Sequence, residues 1–158
     1  MWDIGCYPIH TSRFAFGEEP TRVLSLIDRD PELKIDRLGS VILDFPSGQC
    51  SFTVGTQVVA HQRMTFFGEN KKLEIAIPFN APNDRPCIIT INDGDLFESN
   101  KEVIKFDTCD QYTVQGTRFS DAILNDTEVP VPLENAYHNA AIIEAIFRSE
   151  QEKGWVEL

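Results

Sequence analysis

The sequence has 158 residues, which suits a single domain that buries about two-thirds of the surface of its unfolded chain. With 14 basic and 25 acidic residues its formal net charge is −11, and no basic run exceeds Lys71-Lys72, which argues against binding to nucleic acid or anionic lipid. Because no apolar run approaches the length of a membrane span and the N-terminus lacks a signal-peptide pattern, we expect a single cytoplasmic domain over residues 1–158, without a membrane partner.

The predicted elements begin with a short helix that ends at Phe16, because Gly17 and Pro20 form a stop signal. Pro8 costs little if it falls in the first turn of that helix. Strand patterns follow, and residues 46–48 (Pro-Ser-Gly) predict a hairpin turn between two of them. The predicted strands cover residues 22–27, 40–45, 49–58, 61–67, 72–79, 87–91 and 102–106.

Two further helices close the chain. The first covers residues 117–124, where Phe119 and Ile123 are four residues apart, and the second begins after Pro132 and runs towards Gly154 with apolar residues every three or four positions. A helix, then six or seven strands, then two helices predicts an α+β fold. We expect an open mixed, mostly antiparallel β-sheet with helices packed on one face.

Several predicted strands carry apolar residues on both sides, such as Ile42 between Val41 and Leu43, or Ile104 beside Val103. If helices cover one face of the sheet, the other face keeps a partly apolar patch of the kind that marks an interface. We therefore expect a homodimer through the open sheet face, with more than roughly 1,200 Å² buried in total.

The four cysteines form no C-x-x-C pair and have no histidine at zinc spacing, so the sequence predicts no metal site. Cys50 lies in a strand pattern, where a thiol behaves as a small hydrophobic residue. Cys6 has no adjacent base pattern, which favours packing over a nucleophilic role.

Three titratable side chains are crowded into the first ten residues. Asp3, Tyr7 and His10 have spacings of four and three, which would place all three on one face of a helix. Chain termini are usually frayed and solvated, and are poor places for a site. We therefore expect that a further segment precedes this chain in the complete protein.

The same residues carry a family resemblance. Residues 3–8, Asp-Ile-Gly-Cys-Tyr-Pro, are similar to the D-x-G-x-[H/Y]-P signature of the Gfo/Idh/MocA (glucose–fructose oxidoreductase / inositol dehydrogenase) family, in the Tyr form found in dimeric dihydrodiol dehydrogenase and NADP-dependent xylose dehydrogenase. Residues 119–123, 132–136 and 143–149 resemble the family's F-x-x-A-I, P-x-x-x-A and I-x-A-I-x-x-S segments in the same order. The resemblance is to the C-terminal half only, because the G-x-G-x-x-G turn and the E-K-P lysine segment are missing.

The resemblance implies a substrate-binding and dimerisation domain of an NAD(P)-dependent oxidoreductase that acts on a sugar, polyol or cyclic diol. Its partner would be its own N-terminal Rossmann domain, which would hold NAD or NADP, and we expect no cofactor on this chain alone. Tyr7 would be the general acid/base. A tyrosine with an ordinary pKa near 10 is a poor base at neutral pH, so it would need the E-K-P lysine of the missing domain.

Three other residues are candidates for the site. Asp3 would hold a substrate hydroxyl or orient Tyr7, although an Asp before a helix is also a common N-cap. His10 and Trp2 would bind substrate, His10 through a hydrogen bond and Trp2 by stacking on a ring. Each of the four, Tyr7 included, could instead be an ordinary packing or surface residue.

Two other functions remain open on this sequence. One is a stand-alone binding or dimerisation module that is not catalytic and keeps the motif only as scaffold. The other is a small α+β hydrolase or isomerase that uses the same acidic residues, although no G-x-S-x-G element or P-loop supports a hydrolase or a kinase. The gene upstream of Met1 discriminates among them, because only the oxidoreductase requires a G-x-G-x-x-G turn and an E-K-P segment there.

Overall fold

The computed structural model describes residues 1–158 and contains eight strands and three helices. Every pairing between strands β1 to β8 is antiparallel, and the strands form two open four-stranded sheets. The predicted α+β class with open antiparallel sheet is therefore confirmed. No helix has both the length and the apolar character that crossing a membrane requires.

The chain divides into two compact units, which are described separately. The first unit comprises Met1–Val59 and Val131–Leu158, and the second comprises Ala60–Pro130. The first unit contains α1 (Cys6–Phe16), α3 (Leu133–Glu152) and a sheet of order β3-β2-β1-β8, formed by β1 (Arg22–Arg29), β2 (Asp36–Phe45), β3 (Gly48–Gly55) and β8 (Val156–Glu157). The second unit contains α2 (Gln111–Asn125) and a sheet of order β4-β5-β6-β7, formed by β4 (Met64–Phe67), β5 (Lys72–Ile75), β6 (Cys87–Asn92) and β7 (Glu102–Phe106).

The core of the first unit lies between one face of its sheet and helix α3. Alternate residues of β1 and β2 point to this face, where Val23 is paired with Leu43 across the ladder. These two side chains are buried in one cluster with Val41 and with Ile143 and Ile146 of α3. The apolar residues that recur every three or four positions in the last helix therefore form the stripe that packs on the sheet.

Two glycines leave room for the buried side chain of Met1. A Cβ at Gly5 would collide with Met1 Sδ and lie 2.7 Å from Met1 O, and a Cβ at Gly39 would lie 2.8 Å from Met1 Cε. Gly5 has an ordinary helical backbone, so close approach rather than a left-handed conformation explains this glycine of the D-I-G-C-Y-P segment.

The second strand of the first hairpin is shorter than predicted, because residues 56–58 do not belong to it. The alternation read through Val58 ends at Gly55, where a Cβ would lie 3.1 Å from both Leu38 Cδ1 and Val58 Cγ2. The chain turns there, and Thr56 N donates to Arg37 O at 3.0 Å. Because β4 pairs with β5 and not with β3, the strands form two sheets rather than one.

Several boundaries in the second unit also differ from the sequence prediction. Helix α2 begins at Gln111, six residues before the predicted 117, because the Asp110 side chain accepts from the backbone N–H groups of Tyr112 and Thr113 at 2.9 and 3.4 Å. Strand β4 begins at residue 64 rather than 61, and β5 ends at residue 75 rather than 79. The backbone N–H of Phe79 donates to the Gln62 side chain, at 3.0 Å, instead of to a strand.

One loop of the second unit is fixed by charge. Glu98 lies between two lysines, 2.8 Å from Lys72 Nζ and 2.9 Å from Lys101 Nζ. Hydrogen bonds from these cations lower the pKa of Glu98 to about 2. The loop between β6 and β7 is therefore held to β5 by a carboxylate that stays ionised through the physiological range.

Candidate functional site

The D-I-G-C-Y-P segment forms a turn that leads into α1. The helix begins at Cys6 with Gly5 at the N-cap, and no side chain caps it. Asp3 is exposed, and its backbone oxygen accepts from Cys6 Sγ at 3.3 Å. The N-cap alternative for Asp3 is therefore wrong. Asp3 and Trp2 precede the helix, so of the three titratable side chains only Tyr7 and His10 share a helical face.

Tyr7 is the second residue of α1 and its side chain is 45% exposed. Pro8 follows in the first turn, where its missing N–H would have had no partner within the helix, so the proline costs little there, as predicted. The backbone oxygen of Tyr7 accepts from Thr11 Oγ1 at 2.9 Å. A half-exposed tyrosine presents an apolar ring together with a polar hydroxyl.

His10 lies one turn after Tyr7 and is half-buried. Its Nδ1 is 2.9 Å from Oδ1 of Asn135, which lies in the first turn of α3. One side of the imidazole is thus held by a second helix. The structure therefore places Tyr7 and His10 on one face of α1, with Trp2 and Asp3 in the turn before it.

A buried arginine connects these elements, and the sequence analysis missed it. Arg13 makes two hydrogen bonds to Glu19, from Nε to Oε2 and from Nη2 to Oε1, both at 2.6 Å, and its side chain is only 5% exposed. Its Nη1 donates to the backbone oxygen of Asn135 at 3.1 Å. His138 Nδ1 lies 3.1 Å from Glu19 Oε1. Arg13 follows the buried Ile9 by four residues, and a charge on the apolar face of a helix was the available signal.

The ion pair between Arg13 and Glu19 makes the stability of the first unit depend on pH. Hydrogen bonding to Arg13 holds the pKa of Glu19 below its ordinary value of 4.5. A carboxyl whose folded pKa is depressed contributes stability above the unfolded pKa and loses it as the pH falls through the folded pKa. We expect Glu19→Gln to destabilise the first unit by about 2 kcal/mol at neutral pH, because it leaves a buried guanidinium without its counter-ion.

Urea unfolding of wild type and Glu19→Gln, from neutral pH to about pH 3, measures this effect. The difference between the two should shrink as the pH falls below the ordinary pKa of a glutamate, 4.5. Glu69→Gln serves as control, because Glu69 is exposed and forms no ion pair. A difference that is constant with pH would contradict the assignment.

Cys6 is unsuited to nucleophilic chemistry. Burial raises the pKa of its thiol above the ordinary value of 9.0. The thiolate is the reactive form, so a raised pKa lowers reactivity at neutral pH. Burial also raises the pKa of Cys50, which packs against the core. No group of three or more His, Cys, Asp or Glu side chains is arranged to hold a metal ion.

The elements of this chain do not fit a dinucleotide cofactor. A pyrophosphate is held where a strand passes through a Gly-rich turn into a helix within a unit of parallel strands. Here every strand pairing is antiparallel, and α1 follows a turn rather than a strand. The chain therefore contains no strand–turn–helix unit of the kind that holds a dinucleotide pyrophosphate.

The fold and the site together define an α+β domain that presents a motif with Asp and Tyr at the start of its first helix. Residues 1–74 match the family model described as the GFO/IDH/MocA C-terminal domain. The resemblance inferred from the motif is confirmed, because this match makes the first 74 residues similar to the C-terminal domain of the Gfo/Idh/MocA family.

Relatives and solved structures extend the match over the whole chain. An uncharacterised oxidoreductase of Rhizobium meliloti, ORF334, is 36% identical over 157 residues, which are 98% of this chain and 47% of that protein. The D-xylose 1-dehydrogenase [NADP(+)] of Haloarcula marismortui is 25% identical over 164 residues, which cover 100% of this chain and 43% of that enzyme. The chain thus spans about half the length of the curated relatives it matches.

Solved structures share the fold at lower identity. The crystal structure of aldose-aldose oxidoreductase from Caulobacter crescentus, complexed with glycerol, superposes with a TM-score of 0.81 and 22% identity over 99% of this chain and 46% of that one. KijD10, a 3-ketoreductase from Actinomadura kijaniata in complex with TDP-benzene and NADP, superposes with a TM-score of 0.82 and 20% identity. That match covers 93% of this chain and 46% of KijD10. At these identities the likeness establishes the fold.

Proposed function

We propose that this chain is the substrate-binding and dimerisation part of an NAD(P)-dependent oxidoreductase that acts on a sugar, polyol or cyclic diol. The observation that carries the proposal is Tyr7, half-exposed at the start of α1 within the D-I-G-C-Y-P motif. The names of the relatives support it, since they include a D-xylose 1-dehydrogenase and an aldose-aldose oxidoreductase. The cofactor would be NAD or NADP, bound by an N-terminal Rossmann domain of the complete protein.

Tyr7 is the group that moves the proton. A nicotinamide held by the N-terminal domain would accept a hydride from a carbinol carbon of the substrate or supply one to the corresponding carbonyl carbon. The ligand oxygen must lose or gain a proton in the same conversion, and the Tyr7 hydroxyl is the group of this motif that can exchange it. General acid–base catalysis of this kind contributes ~10²–10⁴-fold to the rate.

The neighbouring residues have supporting roles in the proposal. Asp3, exposed beside the helix start, accepts a hydrogen bond from a substrate hydroxyl or orients Tyr7. Trp2 is exposed in the same turn and offers a flat surface to a sugar ring. His10 makes one hydrogen bond with the substrate. It does so from the face of α1 that it shares with Tyr7.

The cofactor assignment predicts different behaviour of the chain and of the complete gene product. Residues 1–158 alone should not bind NADH or NADPH at micromolar concentration, because they contain no Gly-rich strand–turn–helix unit for the pyrophosphate. The gene product that includes any upstream domain should bind one of them and reduce its oxidised form with an aldose, polyol or cyclic diol. Fluorescence titration and absorbance of the reduced nicotinamide provide the two measurements. Saturable binding to the chain alone, or no reduction by the complete protein with any of these compounds, would contradict the proposal.

The open face of the first sheet carries the proposed dimer interface. Leu24, Leu26 and Ile42 alternate with the buried residues of β1 and β2 and so point away from α3. Leu26 is 76% exposed, and Ser40 Oγ and Thr53 Oγ1, also on this face, lie 3.0 Å apart and satisfy each other. A sheet face that combines exposed aliphatic residues with a pair of hydroxyl groups that satisfy each other is suited to packing on a second copy of itself.

We expect residues 1–158 to form a homodimer at micromolar concentration, and Leu26→Glu to dissociate it. A charge at the centre of the paired faces would be buried without a partner. Leu33→Glu is the matched control, because Leu33 is exposed in the turn between β1 and β2 and lies off this face. Sedimentation equilibrium decides: a wild-type species at the monomer mass of 17.9 kDa would contradict dimerisation through this chain.

A further inference from the structure

The contacts of His10 specify which of its ring nitrogens carries the proton. Neutral histidine has one donor and one acceptor nitrogen, and the partner of one fixes the role of the other. Here Nδ1 is 2.9 Å from Asn135 Oδ1. An amide oxygen only accepts hydrogen bonds, so Nδ1 must donate to it, and this assignment depends on the orientation of the amide.

Arg13 orients the Asn135 amide. Its Nη1 lies 3.2 Å from Asn135 Oδ1 and 3.1 Å from the backbone oxygen of the same residue. A guanidinium has donors only, so the atom that faces it must be the amide oxygen, since an NH₂ group there would oppose donor to donor. Arg13 in turn cannot swing away, because two hydrogen bonds of 2.6 Å bind it to Glu19.

The same oxygen therefore accepts from Arg13 and from His10. Nδ1 of His10 is the protonated nitrogen, and Nε2 keeps a lone pair. Nε2 makes no hydrogen bond within the chain, and because the two ring nitrogens diverge it faces away from Asn135 and α3. The spacing of three places the ring on the helical face of Tyr7.

We infer that Asn135 and Arg13 are positioning residues that fix His10 as a hydrogen-bond acceptor in the candidate site, matched to a hydroxyl group of the ligand. The ligand contact rests on the proposed function, whereas the tautomer does not. A neutral acceptor selects for a group that donates, as a sugar or polyol hydroxyl does. A carboxylate or phosphate oxygen would instead oppose its lone pair to that of Nε2, so the arrangement discriminates against anionic ligands.

The tautomer can be measured directly on ¹⁵N-labelled residues 1–158 by long-range ¹H–¹⁵N correlation, in mildly alkaline buffer where an ordinary histidine is neutral. His10→Gln assigns the resonances of His10. The wild type should show a protonated Nδ1 and an unprotonated Nε2. Asn135→Ala should shift the population towards the Nε2–H form that a solvated histidine favours, whereas Asn135→Asp, which keeps an acceptor oxygen, should retain Nδ1–H.

Asn139→Ala is the matched control. Asn139 follows Asn135 by one turn of α3 and donates to the backbone oxygen of Cys6 at 3.2 Å, not to His10. That variant should leave the His10 tautomer unchanged. An Nε2–H tautomer in the wild type, or an unchanged tautomer in Asn135→Ala, would overturn the inference. The wild-type spectrum requires no variant, so the test stands even if a substitution prevents folding.

The ligand contact is tested by kinetics in the complete enzyme. His10→Asn keeps a donor for Asn135 but has no atom at the Nε2 position, so KM for the hydroxylated substrate should rise about two- to tenfold at unchanged kcat. Asn135→Ala should raise KM similarly, and the double variant should add little. An unchanged KM in His10→Asn, or additive effects, would contradict the contact. Because the tautomer is read without turnover, its loss and the absence of oxidoreductase activity are separate results.

Discussion

Tyr7→Phe is expected to lower the turnover of the complete enzyme by ~10²–10⁴-fold, while nicotinamide binding is retained. The substitution removes one hydroxyl and keeps the ring, which is packed at the start of α1 with just under half of its surface exposed. Only the exchangeable proton is lost, so the effect should fall on kcat and on kcat/KM together, as expected for an interaction made in the transition state.

Two measurements on purified wild type and Tyr7→Phe distinguish an effect on turnover from an effect on cofactor binding. They are steady-state kinetics and a fluorescence titration of the reduced cofactor. Tyr137→Phe is the matched control, because Tyr137 is exposed on α3 and its hydroxyl can be removed without touching the motif. A loss below about tenfold in Tyr7→Phe would assign the tyrosine to packing rather than to catalysis.

Leu43→Ala should destabilise the first unit by about 2–5 kcal/mol. Leu43 is fully buried near the end of β2, where it is paired with Val23 and belongs to the same buried cluster as Ile143 and Ile146 of α3. Truncation removes the transfer free energy of the side chain and leaves a cavity that the ladder on both sides of β2 prevents from collapsing. The sheet order β3-β2-β1-β8 places β2 between two strands, so no edge is free to move inward.

Tryptophan fluorescence during urea unfolding reports this unit selectively. The chain has two tryptophans, Trp2 and Trp155, and both belong to the first unit. Arg22 Cζ lies 4.5 Å from the centre of the Trp155 ring, so this fluorophore senses the folded sheet. Leu33→Ala, at an exposed turn position, should change the free energy of unfolding by less than about 0.5 kcal/mol. Equal effects of the two substitutions would contradict the assigned core.

The sequence determined the class of the fold and most of the elements. Period-two alternation in the residues after the Pro-Ser-Gly turn, together with that turn, predicted the β2–β3 hairpin, since side chains alternate between faces in any strand. Apolar residues at spacings of three and four predicted the face of α3 that packs on the sheet, including Ile143. These signals are local to one helix or strand. The periodicity of its apolar residues is the same whatever other element it packs against.

The sequence also identified the motif that names the family, because the order Asp-Ile-Gly-Cys-Tyr-Pro is specific by itself. It did not establish which residues share a face. Helical spacing grouped Asp3 with Tyr7 and His10, yet Met1 packs between Gly5 and Gly39 and the helix begins only at Cys6. The contact of Met1 with Gly39 joins residues 38 positions apart, and helical periodicity contains no information about it.

Only the tertiary structure revealed the partners of His10. Asn135 lies 125 positions away in the sequence, and its amide is oriented by the Arg13 guanidinium, which Glu19 in the segment after α1 holds in place. The sequence of each segment alone does not show these pairings. They act together because their donors and acceptors must be satisfied where α1 meets α3. Such pairings arise only when folding brings distant segments together and excludes water from between them.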